Sequence, residues 1–369
     1  MSMQPIRKIA ISTGGGDAPG LNAVIRAATI AALKHGWECW GVRDGYNGLL
    51  DPGAFPDGGL VPLTRRSVAG IMHLGGTILG TTNRGNPTQF PVQQPDGSWV
   101  EIDRTDELVQ RFQDAGIDAL ITIGGDGSLS IGNHLASRGL RVIGVPKTID
   151  NDLDRTFMTF GFDTAVSFAT ECLDRLHTTA TSHRRIMVVE VMGRYAGWIA
   201  LHAGIAGNAH AILIPEIPYD IGKVADFIRS RAERGRPYTL VMVAEGAKPL
   251  GGEVSVLGKA IGQAEKLGGV ADRVARQLEE LTGRESRSVV LGHLVRGGSP
   301  TAFDRLVALR FGAAAVRALD LGLSSVMVSL APPTVRYEPL KAAVSRMKTV
   351  PLDSDTMESA RDLGICFGD

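Results

Sequence analysis

Two short runs hold the residues best suited to chemistry. Pro-Lys-Thr-Ile-Asp-Asn-Asp fills 146–152, and Gly-Gly-Asp-Gly-Ser fills 124–128. The first sets Asp150 and Asp152 one residue apart, beside Lys147 and Thr148. In an extended or turn backbone the two carboxylates project to the same side. Like charges that close raise the pKa of one of them, which suits a base taking a proton from a hydroxyl. The second run is a glycine turn around one acid, Asp126. Its amides suit phosphate, and its acid suits Mg2+, which takes few carboxylates alongside water and phosphate oxygens. A further turn, Gly-Gly-Gly-Asp-Ala-Pro-Gly at 14–20, follows an apolar run and opens a helical one, so it offers amides at a helix N-terminus. Together these parts are what phosphoryl transfer to an alcohol requires, and a sugar-phosphate kinase is the leading reading.

Each run alone has a plainer reading: a strand-to-helix turn, a helix cap, an Asx-rich turn. Their order and closeness favour the chemistry. The chain has no GxxxxGK[ST], so the phosphate loops are not of the P-loop kind. It also lacks HExxH, GxSxG and CxxC, which removes support for zinc-protease, serine-hydrolase and dithiol chemistry. Arg84, Arg185, Arg194, Arg287 and Arg296 stand in short glycine-rich contexts, and guanidinium forks bind phosphate bidentately. Glu245 ends an apolar run, where it would accept sugar hydroxyls or pair with an Arg. His35, His73, His134 and His202 show no ligand spacing.

The elements that must position these residues follow from periodicity. Apolar runs predict strands over 8–12, 118–123, 141–145, 186–191, 211–214, 240–244 and 289–291. Helical spacing predicts helices over 21–34, with Asp17 as its cap, and over 128–137. Strands alternating with helices imply an α/β protein with parallel sheets, right-handed crossovers and ligands beyond the carboxyl ends of the strands. The Pro-, Gln- and Gly-rich stretch 83–99 reads as a surface excursion. A boundary falls near 160, and the segment from about 300 crosses back to the first part. There is no internal repeat or low-complexity linker.

Composition sets the outer bounds. The 369 residues suffice for two domains on the usual prior. Lys plus Arg equals Asp plus Glu at 39 each, so no global field draws nucleic acid or a membrane surface, and any basic site is local. Cys39, Cys172 and Cys366 are scattered and odd in number, which speaks for a reducing cytosol and against a disulfide framework or zinc site. Residues 195–215 carry no Asp, Glu, Lys or Arg, but their glycines, Asn208, His202 and His210 suit a buried helix and strand better than lipid.

GGDAPG at 15–20, GGDGS at 124–128, PKTIDND at 146–152, VVEVMGR at 188–194 and LGHLVRGGSP at 291–300 resemble the phosphofructokinase family, in that family's order, over about 8–304. The resemblance implies two α/β domains with mostly parallel, Rossmann-like three-layer sheets and an active-site cleft between them. The phosphoryl-donor domain would be 1–160 plus about 296–345, and the fructose 6-phosphate domain 161–295 plus about 346–369. It further implies a cytoplasmic glycolytic enzyme that phosphorylates the C1 hydroxyl of fructose 6-phosphate, with Mg2+ on the donor.

By position, Asp150 corresponds to the family's base, with Thr148 and Asp152 beside the reacting groups and Asp126 as the metal-associated acid. Gly16, Tyr46, Arg84, Gly125, Gly127 and Ser128 correspond to the donor site, although Asn-Arg-Gly-Asn at 83–86 departs from the family's shorter pattern. Met192, Gly193, Arg194, Glu245, His293 and Arg296 correspond to sugar-phosphate contacts. Arg194 joins Asp150 and Thr148 in the catalytic set, and with Arg84 it would stabilise the transferring oxygens. Arg185 and Arg287 correspond to arginines that reach the 6-phosphate from an adjoining subunit of a homodimer or homotetramer. Donor choice is mixed: Gly127 resembles ATP users, and Lys147 resembles pyrophosphate users. An Asp at 127 would block a nucleotide, whereas a lysine at 147 blocks nothing, so ATP is the expected donor and pyrophosphate the alternative. Of the family's effector-site cations Arg26 is matched, Ile30 and His177 replace arginines, and Arg234 and Arg236 stand in for lysines, so the usual effector response is not expected. Rivals are another kinase with a GGDG turn, a non-catalytic nucleotide sensor, and a dinucleotide-binding dehydrogenase. The first does not account for PKTIDND or the arginines. The second predicts the loss of an acid or arginine from the catalytic set, and none is missing. For the third, no acid sits at the expected distance after a proper GxGxxG.

Overall fold

The computed structural model describes residues 5–83, 85–258 and 266–369. The chain runs through β1 (Lys8–Thr13), α1 (Leu21–Lys34), β2 (Glu38–Val42), α2 (Asn47–Leu50), β3 (Leu60–Pro62) and a hairpin of β4 (Phe90–Gln93) and β5 (Trp99–Ile102). It continues through α3 (Thr105–Asp114), β6 (Ala119–Gly124), α4 (Asp126–Ser137), β7 (Arg141–Pro146), α5 (Phe162–His183), β8 (Ile186–Val191), α6 (Trp198–Ala206) and β9 (Ala211–Leu213). Then come α7 (Ile221–Glu233), β10 (Thr239–Ala244), β11 (Val256–Gly258), β12 (Lys266–Leu267), α8 (Val270–Thr282) and β13 (Ser286–Val290). Last are α9 (Ala302–Asp320), β14 (Val326–Ala331), β15 (Thr334–Pro339), α10 (Leu340–Ala343) and α11 (Asp355–Asp362).

Two sheets organise these elements. The first has seven strands in the order β15-β14-β7-β6-β1-β2-β3, parallel except for β15 and β3 at its edges. The second has four parallel strands, β13-β8-β10-β9. Helices cover both faces of each sheet, so the central strands are apolar without a polar alternate. β6, β8 and β10 are buried at every residue. Successive side chains still enter opposite cores. Ile9 and Ile11 pack with α1 and α9, while Ala10 joins the cluster of α3, α4 and α10. In the second sheet Val189 and Val191 face α5 and α6, while Ile186 and Val188 face α7 and α8.

The crossover from β1 enters α1 on one face of the first sheet, and that from β6 enters α4 on the other. Between such diverging crossovers a crevice opens at the carboxyl ends of the strands. All three glycine- or acid-rich runs of the first sheet leave at that end.

Most expected elements are present, with differences of local chemistry. Helix α1 occupies the expected residues, but Asp17 does not cap it. Gly20 holds the cap position in a left-handed conformation (φ 112) with no side-chain bond. Helix α4 starts at Asp126 rather than 128, which converts the acid of the glycine turn into a first-turn residue. Stretch 195–215 forms α6 and β9, and the excursion over 83–99 contains much of the β4–β5 hairpin. After residue 300 the chain adds β14 and β15 to the first sheet, and then sends Met357, Ala360 and Phe367 into the core of the second. No described helix is long and apolar enough to cross a membrane.

Helices α1 and α9 pack with almost no spacing. A Cβ on Gly312 would lie 2.5 Å from the Val24 carbonyl oxygen and 3.0 Å from the Ala28 nitrogen. Gly312→Ala should therefore lower stability by about 1–3 kcal/mol through overpacking, although alanine is the better helix former by ~1 kcal/mol. Urea unfolding checks this: a midpoint that stays or rises would contradict the close approach.

Candidate active site

The loops after β1, β6 and β7 are laced together by backbone. Gly14 N donates to Ile123 O at 3.0 Å, and Lys147 N to Gly124 O at 2.9 Å. A fourth loop supports them: Gly15 N donates to Thr82 O at 3.0 Å, and Thr81 Oγ1 to Gly15 O at 2.6 Å. Ser128 packs onto this junction, so a Cβ on Gly124 would fall 2.2 Å from its Cβ. Gly16 makes room for Arg296, whose Nη1 would be 2.5 Å from an added Cβ. Gly127 differs. It lies on exposed helix with an ordinary φ, and an added Cβ meets nothing within 4 Å among the described residues. Neither strain nor packing asks for glycine there. Asp126 and Gly127 are the first residues of α4, where unpaired amides favour an anion.

The two central carboxylates sit in the third loop. Thr148 Oγ1 accepts from Asp150 N at 3.1 Å, and the Thr148 carbonyl accepts from Thr159 Oγ1 at 2.7 Å. Asn151 between them is left-handed, φ 52, so the pair is presented by a turn rather than by strand alternation. Asp150 Oδ1 is buried and has no hydrogen-bond partner among the described residues. Burial pushes Asp150 up to about 6; Arg296 opposes this, Glu245 adds to it, and Lys147 and Arg194 oppose it. Asp152 is likewise raised, by burial first and then by the charges of Asp150 and Asp126. Lys147 is buried beside them and donates to the Gly16 carbonyl. Burial and Arg296 pull its ammonium down to about 8, while Asp17, Asp150 and Asp152 hold it up.

The second sheet supplies the opposite wall. Glu245 N donates to Val191 O at 2.9 Å and Gly246 N to Gly193 O at 3.1 Å, which joins the loops after β8 and β10. Gly193 has φ 141, and a Cβ there would meet Ala196 O at 2.8 Å. Met192 packs at the edge of the core and Arg194 lies with its guanidinium carbon 5.6 Å from the Tyr195 ring centre. Burial raises Glu245 and Arg194 lowers it. After β13 a 3-10 turn, Gly292–Arg296, leaves His293 exposed. From that turn Arg296 Nη1 donates to Asp17 O at 3.2 Å, tying the second sheet's loop to the first glycine turn.

The structure thus gathers Gly16, Gly125, Asp126, Gly127, Ser128, Lys147, Thr148, Asp150 and Asp152 from one sheet. It sets Gly193, Arg194, Glu245 and Arg296 against them. Arg185 and Arg287 are not gathered. They lie at the amino ends of β8 and β13, and Glu285 pairs with both, its Oε2 2.6 Å from Arg185 Nε. Tyr46 is buried in the core cluster of α3 and α4, its hydroxyl 3.1 Å from Thr122 Oγ1 and pushed up to about 12 by burial. Arg84 lies outside the described residues. The sequence reading missed Thr81 and Thr82, although the Gly-Thr-Thr-Asn run at 80–83 has the composition of a turn.

Comparison with known proteins agrees with this arrangement. A family model described as Phosphofructokinase matches residues 8–319. The chain is 48% identical over 372 residues to ATP-dependent 6-phosphofructokinase 2 of Clostridium perfringens, covering 100% of both. It is 46% identical over 350 residues to pyrophosphate–fructose 6-phosphate 1-phosphotransferase of Amycolatopsis mediterranei, covering 94% of this chain and 97% of that one. The crystal structure of pyrophosphate-dependent phosphofructokinase from Marinobacter aquaeolei shares the fold, with a TM-score of 0.79 at 22% identity over 97% of this chain and 91% of that one. The motifs, the two facing sheets and these full-length likenesses converge: the chain belongs to the phosphofructokinase family.

Proposed function

We propose that this protein transfers the terminal phosphoryl group of ATP to the C1 hydroxyl of fructose 6-phosphate. The observation that carries the reading is Asp150 Oδ1, a buried acceptor without a donor among the described residues, at the meeting point of the two sheets' loops. An unmet buried acceptor costs about 1–3 kcal/mol, and a substrate hydroxyl would meet it. Asp150 then takes the C1 proton as the oxygen attacks the terminal phosphorus in line. The new O–P bond forms as the bond to ADP breaks, and the electron pair leaves on ADP. Arg194, with Arg84, offsets charge on the transferring oxygens, and Arg296 adds positive charge beside the first glycine turn. Met192, Gly193, Glu245 and His293 line the sugar side.

Mg2+ suits the donor side, because Asp126 and Asp152 repel one another there and a cation relieves that repulsion. These two carboxylates would hold the ion together with donor oxygens and water. When bound, it offsets negative charge on the donor phosphates.

ATP is favoured over pyrophosphate by the open space above Gly127, which leaves room for the nucleotide's inner phosphate. Lys147 is the one feature that favours pyrophosphate, yet one of its three N–H donors is already given to the Gly16 carbonyl. The position of Arg185 and Arg287 at the far end of their strands supports the reading that they serve a neighbouring copy's sugar phosphate in a homodimer or homotetramer, not their own.

Initial-rate assays with fructose 6-phosphate, comparing ATP and pyrophosphate, test the reading; ATP should be the better donor. Asp150→Asn should lower kcat by roughly 10²–10⁴-fold with modest change in KM, and near-normal turnover would refute the base. The base form is lost as pH falls through the raised pKa, so kcat should decline below about pH 6. Glu245→Gln removes a charge that raises Asp150 and should move that decline to lower pH. A decline that stays put contradicts the coupling. Gly127→Asp should fold normally and lose ATP use; retention of ATP as the better donor refutes the role of the open space.

A further inference from the structure

The segment 347–350 is remote in sequence from the carboxylate loop and crosses it. Leu153 and Met347 form an antiparallel bridge, and Lys348 N donates to Asp152 O at 2.8 Å. The Lys348 ammonium makes three further bonds: to Asn151 Oδ1 at 3.1 Å, Thr156 O at 3.1 Å and Phe157 O at 2.7 Å. Asn151 Oδ1 also accepts from Thr159 N at 3.2 Å. Two of these contacts meet on the side chain of the left-handed residue between the two carboxylates, and the others pin the loop around it. The surroundings thus fix a backbone conformation that asparagine tolerates. On its other side the segment is bound to the second sheet's layer. Lys348 O accepts from Trp198 Nε1 at 3.0 Å, and the ammonium lies 5.4 Å from the indole centre. Val350 N donates to Glu216 Oε1 at 2.9 Å, and Glu216 also takes Gly197 N at 3.0 Å.

We propose that Lys348 is a positioning residue for the phosphoryl transfer, a clamp that holds Asn151, and with it Asp150 and Asp152, against helix α6 of the sugar side. An ammonium has three N–H donors and no acceptor. All three are directed at protein oxygens, so none is left to bind substrate or move a proton. Burial draws Lys348 down to about 8, and Asp154 and Asp152 sustain its charge, so the clamp stays cationic at neutral pH. The proposal rests on the assignment of Asp150 as the base.

The test uses the full chain with Lys348→Ala and, in parallel, Trp198→Phe, which keeps the lysine and removes one tether. Lys348→Ala should lower kcat by about 10²-fold, as expected for a catalytic group displaced by ~1 Å, with KM for both substrates little changed. Propylamine, which refills the deleted chain and ammonium, should restore part of the rate. Trp198→Phe should lower kcat in the same direction but less. Amide hydrogen exchange over 148–159 should quicken in Lys348→Ala and slow again with propylamine. Unchanged exchange there overturns the clamp whatever the activity. So does an unchanged kcat, or a loss that follows the unfolded fraction and ignores the amine. Quickened exchange in the variant, with a parent protein inert towards both donors, supports the clamp and overturns the reaction assignment instead.

Discussion

Everything in the site depends on holding two carboxylates and a lysine largely out of water in one crevice. Lys147 is buried and Asp150 and Asp152 are half-buried at the ends of the strands, so water solvates none of them fully. Such charges persist only when the surrounding geometry offers partial compensation. Here it comes from Arg296 on the Asp17 carbonyl, Lys147 on the Gly16 carbonyl, and the mutual fields of the group. Compensation stops short at Asp150 Oδ1, which has no donor among the described residues. On the proposed reading a substrate hydroxyl supplies it.

The same constraint explains the glycines. The turns after β1 and β6 touch one another, Ser128 and Arg296 so closely that side chains at 16 or 124 would collide. Their role is to bring backbone amides and cations together. Gly127 has no such duty among the described residues, and the proposed reading gives its bareness to the ligand. Lys147 points the other way on donor choice, but it is tied to the loop it supports. On the proposed reading, space for a nucleotide at 127 outweighs a cation that already holds its own loop.

Much of this was legible in the sequence because strands buried on both faces are written as unbroken apolar runs. Residues 119–124 and 186–191 could scarcely form anything else, and the motifs follow them at the end where α/β sheets bind ligands. The edge strands were not legible. Thr-Val-Arg-Tyr-Glu-Pro in β15 has little apolar continuity, and only its antiparallel pairing with β14 makes it a strand. Asp17 has the chemistry of a helix cap, yet Gly20 takes that place because the loop's path demands a left-handed residue. Arg185 and Arg194 look alike in composition; strand direction alone puts them at opposite ends of β8. Lys348 was invisible, since its contact with Asn151 spans 197 residues and a lone lysine carries no local signal. Thus the sequence announced the chemistry, and long-range contacts that hold it in place had to be seen.

The most direct measurement is a crystal structure with fructose 6-phosphate and a non-hydrolysable ATP analogue bound together. The account predicts Asp150 Oδ1 within about 2.6–3.2 Å of the C1 hydroxyl, and the nucleotide's phosphates over Gly127 at the start of α4. A sugar whose C1 hydroxyl turns away from Asp150, or an Asp150 oxygen that instead pairs with a protein donor, would contradict it.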